Sequence, residues 1–290
     1  MIIQSLSLDV PAPCLNRCRF CVSHMRRERY ANQLDANKPL YDLYLEDFER
    51  RLEFARDNGC NVIILTGEGE PLLNRRYLET FSIINKKLRK PFRWIEIQTS
   101  GTTLDQAYLR FLRNTVWVNT VSLSVADLFS SKGNAEINRT ATGHEVDIDS
   151  LCEQIRHFDF ALRLSLNMTR VYDGKTPEEI FARAGELGAS QITFRVLYNS
   201  PKHDTPEDAW IDQNRCAPDK IAAIREYIQQ AGRKLEVLPF GAVKYSVQGI
   251  GTVIDDDCMA VEAKDTVKYL ILRPDCKLYS RWDDVGSLLF

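Results

Sequence analysis

Short runs of β-branched and apolar residues alternate with amphipathic stretches along most of this chain, and that alternation constrains the fold more than any other feature. The segments 2–8 (IIQSLSL), 61–66 (NVIILT), 93–99 (RWIEIQT), 116–125, 160–168 (FALRLSLNM) and 191–197 (QITFRVL) read as strands. Between them, 43–57, 75–89, 104–113, 147–157, 177–187 and 218–231 carry helical periodicity. The first of these sets Leu45, Phe48, Leu52, Phe54 and Ala55 on one side and stops before Gly59. Six strand–helix units predict parallel strands joined by right-handed crossovers. The fold class is therefore α/β, as an open doubly wound sheet or a barrel. From residue 234 the pattern changes to short β segments, 234–240, 243–254 and 267–273. These read as an appended element on one side.

The chain has 290 residues, 44% hydrophobic and 27% charged, enough for a full core without staples. Lys and Arg number 38 against 40 Asp and Glu, so neither bulk nucleic-acid binding nor membrane-surface binding is expected. The apolar run Val62–Leu65 is far shorter than the roughly 20 residues that span a bilayer, and residues 1–13 lack a signal-type core. A cytoplasmic location follows as an expectation, where the eight cysteines would stay reduced.

Three of those cysteines crowd into residues 14–21, Cys14-Leu15-Asn16-Arg17-Cys18-Arg19-Phe20-Cys21. The spacing is C-x3-C-x2-C, directly after the first predicted strand. In a parallel α/β sheet that is the carboxyl-terminal rim, where active sites are built. Three close thiolates suit three corners of a [4Fe–4S] cluster and leave one iron open. A Cys3His zinc site with His24 is the rival reading of the same loop. The stretch Gly67-Glu68-Gly69-Glu70-Pro71-Leu72-Leu73 follows the second predicted strand and so shares that rim. Its glycines permit close backbone approach, and Glu70 offers a carboxylate for an ammonium group.

The two motifs together resemble the radical S-adenosylmethionine (SAM) superfamily. The resemblance covers about residues 1–235 and implies a partial (β/α)6 TIM-like barrel, 1–233, with a short C-terminal β-rich extension, 234–290, closing it. It implies a [4Fe–4S] cluster on Cys14, Cys18 and Cys21. The open iron would hold the amino and carboxylate groups of SAM, and an electron from a donor such as flavodoxin or ferredoxin would cleave a carbon–sulfur bond. A 5′-deoxyadenosyl radical would then take a hydrogen atom from the substrate in an oxygen-sensitive reaction. By the same resemblance Phe20 borders the adenine, and Gly67, Glu68, Gly69 and Glu70 hold the methionine amino group. Gln98 and Ser100 face the cofactor, Ser122, Ser124 and Asn167 are ribose or carboxylate candidates, and Arg195 and Leu197 border the adenine.

The tail Arg273-Pro274-Asp275-Cys276-Lys277-Leu278 resembles a segment of the molybdenum-cofactor-biosynthesis and peptide-maturase (SPASM-like) branch. Cys276 stands at its usual glycine. Cys258 fits a first auxiliary ligand, but Val261 replaces the next, so an auxiliary cluster is not expected. Cys216 and Cys276 are weak candidates for catalytic hydrogen-atom donors, whereas Cys60 and Cys152 read as core thiols. The basic run 25–30 reads as a solvated face. The leading expectation is a radical SAM enzyme acting on a small polar metabolite or nucleotide. The alternatives are a maturase modifying a peptide with a separate leader-binding partner, and a non-catalytic zinc or iron–sulfur binding protein.

Overall fold

The structure is a computed structural model that describes residues 2–25, 42–238, 241–256, 262–263, 266–282 and 284–289. Strands form where apolar and polar side chains alternate. In β2 (Val62–Thr66), Ile63 and Leu65 are buried while Val62, Ile64 and Thr66 are half-buried. In β6 (Gln191–Arg195), Ile192 and Phe194 are buried between half-buried Gln191, Thr193 and Arg195. With β1 (Ile2–Asp9), β3 (Trp94–Thr99), β4 (Thr120–Val125) and β5 (Ala161–Asn167) they pair in chain order, all parallel.

The described helices are α1 (Leu45–Asp57), α2 (Arg75–Lys87), α3 (Gln106–Phe111), α4 (Ser131–Asn138), α5 (Ile148–His157), α6 (Pro177–Glu186), α7 (Pro206–Asn214) and α8 (Pro218–Ala231), and all but α4 and α7 cover the outer face. Their starts are chemically marked. Asn74 caps α2 through Tyr77 N, and Asp147 caps α5 through Ser150 N. Thr176 with Glu179 forms a capping box ahead of Pro177. The core is the apolar layer between sheet and helices, including Leu6, Leu8, Ile63, Leu65, Phe81, Leu164 and Phe194, each at most 1% exposed. Among the described residues no helix is long and apolar enough to cross a membrane.

Two segments expected to be irregular contain helices. The 126–146 stretch holds α4, capped by Ser130 and stopped by Arg139 at φ 48°. The 198–216 loop holds α7, opened by a Thr205–Asp208 capping box. The fourth strand also starts later than 116. Residues 112–116 wind into a π turn and Trp117 takes φ 67°, so the pleat begins at Thr120.

The C-terminal strands do not sit on one side. β7 (Arg233–Val237), β8 (Val243–Val247) and β9 (Ile250–Asp255) follow β6, with β9 parallel to it. The expected single segment 243–254 is this β8–β9 hairpin, turned by Gln248 and Gly249 at positive φ. The chain then returns to the opposite edge, where β11 (Thr266–Leu272) runs parallel to β1. β10 (Glu262–Ala263) and β12 (Leu278–Tyr279) pair antiparallel with β11. The result is one mixed sheet with flanking helices, consistent with a radical SAM barrel-like fold. No backbone pairing joins β11 to β9 among the described strands. Instead Lys268 Nζ of β11 reaches Asp255 Oδ1 of β9 at 3.5 Å.

Candidate active site

The three clustered cysteines leave the end of β1 on a loop held from four directions. Val10 N donates to Thr66 O at 2.7 Å and Glu70 N to Pro13 O at 2.8 Å, fastening its stem to the loop after β2. Arg17 N donates to Asn138 O and Ala141 N to Leu15 O, both at 3.0 Å, tying its middle to the end of α4. Cys21 N closes a turn onto Cys18 O at 3.2 Å. Beyond the loop, α7 packs on it: Met25 joins Leu197 and Ile211 in a buried cluster, and the Phe20 and Trp210 rings lie 6.1 Å apart. His24 Nδ1 faces Glu207 Oε1 at 3.5 Å, so the expected rival zinc ligand points to α7.

Cys14 is exposed, and Cys18 and Cys21 are half-buried, all as free thiols. Burial pushes the Cys18 thiol up, and negative charge on Cys21 and then Cys14 adds to that. Burial also raises Cys14, aided by the charges of Glu70 and Cys21. Ionisation of Cys14 and Cys18 is thus opposed by their neighbours' negative charge, which a shared cation would offset. Among the described residues no three acidic, histidine or cysteine side chains form a ready-shaped metal cage. By kind and number, three thiols on one loop, the donor set matches what a three-thiolate iron–sulfur cluster takes.

The neighbour admitted by the glycine loop is the stem of the cysteine loop. A Cβ on Gly69 would stand 2.0 Å from Ala12 O and 2.6 Å from Pro13 O, and one on Gly67 2.6 Å from Val10 O. Glu70 is 2% exposed and faces inward. Its carboxylate accepts from Thr99 Oγ1 (2.7 Å), Ser100 N (2.9 Å), Ser100 Oγ (2.6 Å) and Leu72 N (3.4 Å). Burial raises its pKa against those donors. Glu70 and Ser100 are thus occupied with each other. Glu68, half-buried on the same turn, has no hydrogen-bond or ion-pair partner among the described residues.

Below this rim the concave face of the sheet encloses a cavity of about 670 Å³. Gly67 and Gln98 line it, and Gln98 donates to Glu96 Oε1 at 3.2 Å. Ser122, 2% exposed, lies beside Gln98 in register. Asn167 donates to Ser124 Oγ at 3.0 Å. Leu197 is buried against Met25 and Ile211, away from the cavity lining.

Cys216 and Cys276 do not line this cavity. Cys216 is buried behind the end of β5, its N bonded to Met168 O and its thiol near Asp173. Cys276 occupies the β11–β12 turn at φ 58°, facing Asp47 and Arg51 on the α1 side. Burial, then nearby carboxylates, pushes both thiols up to about 12. Cys60 and Cys152 are core residues. Cys258 and residues 26–30 lie outside the described residues.

Sequence reasoning missed the charged lining. Arg163 Nη1 pairs with Glu96 Oε2 at 2.6 Å and its Nε donates to Gln191 Oε1 at 3.0 Å. Its signal was present as polar residues at alternate strand positions, Glu96 and Gln98, Arg163 and Ser165, Thr193 and Arg195. The Trp210 contact had the Thr205-Pro206-Glu207-Asp208 helix start as its trace.

The radical SAM superfamily model matches residues 12–147. Among solved structures, anSMEcpe with bound AdoMet aligns with TM-score 0.55 at 14% identity, covering 97% of this chain and 76% of that one. anSMEcpe with AdoMet and the Cp18Cys peptide bound gives TM-score 0.53 at 15% identity, covering 79% and 59%. Coproporphyrinogen III oxidase (HemN) from Escherichia coli, a radical SAM enzyme, gives 0.52 at 17%, covering 80% and 54%. This chain thus spans less than two thirds of the length of the last two. No curated protein matches it by sequence. At these identities the structural likenesses show the fold. The family match spans just under half of the chain and includes both the cysteine loop and the glycine loop. Neither the family model nor the structures named above assign a molybdenum-cofactor or SPASM-like branch.

Proposed function

We propose that this chain is a radical SAM enzyme acting on a small polar molecule held in the concave face of its sheet. The observation that carries this reading is three thiols on a loop clamped beside the glycine loop, at the rim of a cavity of about 670 Å³ that Gln98, Arg163 and Arg195 help to line. In this reading Cys14, Cys18 and Cys21 hold a [4Fe–4S] cluster, and residues 1–233 carry the chemistry while 234–290 supply cavity wall. A cluster held by these thiols would supply the electron for reductive cleavage of SAM and so for radical chemistry on the substrate.

The chain's own residues do the positioning. Glu68 is the free carboxylate for the methionine ammonium, and Glu70 holds the turn by locking Thr99 and Ser100 to it. Phe20, backed by Trp210, presents an aromatic surface for adenine. Gln98, Ser122, Asn167 and Leu197 remain proposed cofactor neighbours. An electron donor of the flavodoxin or ferredoxin type and a cytoplasmic setting complete the reading. The peptide-modifying alternative draws on the likeness to anSMEcpe, which was solved with peptides bound.

The test is anaerobic. The protein is reconstituted with iron and sulfide, reduced, and given SAM, and 5′-deoxyadenosine is measured by mass spectrometry. Its formation by the wild type and loss in Cys14→Ala is expected. Full iron content and activity in Cys14→Ala would overturn the assignment.

A further inference from the structure

Among the described residues, Arg195 is the cavity-lining arginine whose donor set is only partly spent. It closes β6 at the cysteine rim and lines the cavity with its side chain 31% exposed. Its Nε donates to Ser165 Oγ at 2.6 Å, and its Nη1 pairs with Asp255 Oδ2 at 3.3 Å. No described residue takes Nη2. Arg163 differs, since Glu96 and Gln191 together occupy its Nε, Nη1 and Nη2. The neighbouring charges explain why Arg195 is left over. Glu96 is matched by Arg163 and Glu236 by Lys244, while Asp255 is divided between Arg195 and Lys268.

A guanidinium fixed on two sides is an oriented donor, and its remaining edge is selective for a planar or tetrahedral oxyanion. In a recessed site such a contact is worth more than on the surface, because water competes less for it. We infer that Arg195 is a specificity-determining residue that reads a carboxylate or phosphate on the molecule bound in the cavity. This deepens the proposed function and rests on it: the substrate is not merely polar but anionic, with its negative group directed to the β6–β9 wall.

The test uses inorganic phosphate, and succinate as a carboxylate probe, on the iron-reconstituted protein. Tryptophan emission is the readout, because Trp282 lines the same cavity. Saturable quenching is expected in the wild type, absent in Trp282→Phe. Arg195→Gln should raise the apparent Kd for phosphate at least tenfold with iron content unchanged. Asp255→Asn, which removes the competing carboxylate, should lower that Kd several-fold. It keeps the proposal testable if Arg195→Gln fails to fold. Unchanged phosphate binding in Arg195→Gln, or unchanged or weakened binding in Asp255→Asn, overturns the inference. A loss of SAM affinity in Arg195→Gln with phosphate binding intact also overturns it, since the anion read would then be the SAM carboxylate. Failure of the underlying function is seen separately, as absence of 5′-deoxyadenosine from wild-type protein.

Discussion

The two faces of the central sheet differ in kind. The outer face is dry: Leu6, Leu8, Ile63, Leu65, Leu164 and Phe194 meet the helices with essentially no exposure. The concave face carries Ser5, Ser7, Gln98, Thr193 and the Arg163–Glu96 pair around a cavity. Neighbouring residues on one strand thus serve opposite ends, and period-two alternation is what separates them. Stability is concentrated on one face and chemistry on the other. The division can be broken by finding a residue whose loss damages the wrong property.

The largest effect is expected at the rim. Replacing Cys14, Cys18 or Cys21 by Ala should eliminate cluster iron and all SAM cleavage. Because Cys14 is exposed, unfolding free energy of Cys14→Ala should stay within about 0.5 kcal/mol of wild type. On the dry face, Leu65→Ala should cost about 2–5 kcal/mol in chemical denaturation. Gln98→Ala on the concave face should cost under about 0.5 kcal/mol. Equal costs for these two would erase the distinction.

Gly69→Ala crosses the boundary between the faces. Its Cβ would meet backbone carbonyl oxygen at 2.0 Å, so the stem of the cysteine loop must move. A loss of about 2 kcal/mol together with poor iron loading is expected, read by denaturation and iron analysis of the same sample. Full iron loading would show that the glycine loop does not position the cysteines.

Acid should loosen α7 before the sheet. Burial opposes ionisation of Asp208, but donors from Ser200 and Thr205 outweigh it and hold its carboxyl well below the usual carboxylate range. For a lowered carboxylate, the stabilisation is complete above the ordinary value of 3.8 and is lost as pH falls below it toward the folded value. Hydrogen exchange of the 200–210 amides should therefore rise below about pH 4, and less steeply in Asp208→Asn. The smallest effect belongs to Gly185 in α6, where an added Cβ meets nothing within 4 Å. Gly185→Ala should stabilise by about 0.5–1 kcal/mol, seen as a raised Tm.

The six parallel strands and their covering helices were legible because each buries an apolar stripe long enough to carry a period. The helices that grip the cysteine loop were not. α4 (SKGNAEIN) buries Asn134 and Asn138, and α7 buries Asp208 beside Ile211. Each rests on a polar loop rather than on the core, so neither has an apolar stripe to display. The cysteine spacing announced a metal-binding loop, yet its clamps, Asn138 O and the Trp210 ring, come from these quiet segments. Glu70 was read as a ligand carboxylate from its motif. Its four inward donors, three of them from Thr99 and Ser100 on the next strand, follow only from tertiary structure.

The contact between Lys268 and Asp255 makes the sheet a split ring rather than a tube. Among the described strands, ladders of backbone bonds join each to the next, and the side chains of Lys268 and Asp255 link β11 to β9. A ring of that kind has an adjustable gauge. Among the described residues, its width at that link is set by side chains and not by a ladder. The same carboxylate also grips Arg195. Through that shared carboxylate, the link across the gap and the charged wall of the cavity form one electrostatic unit.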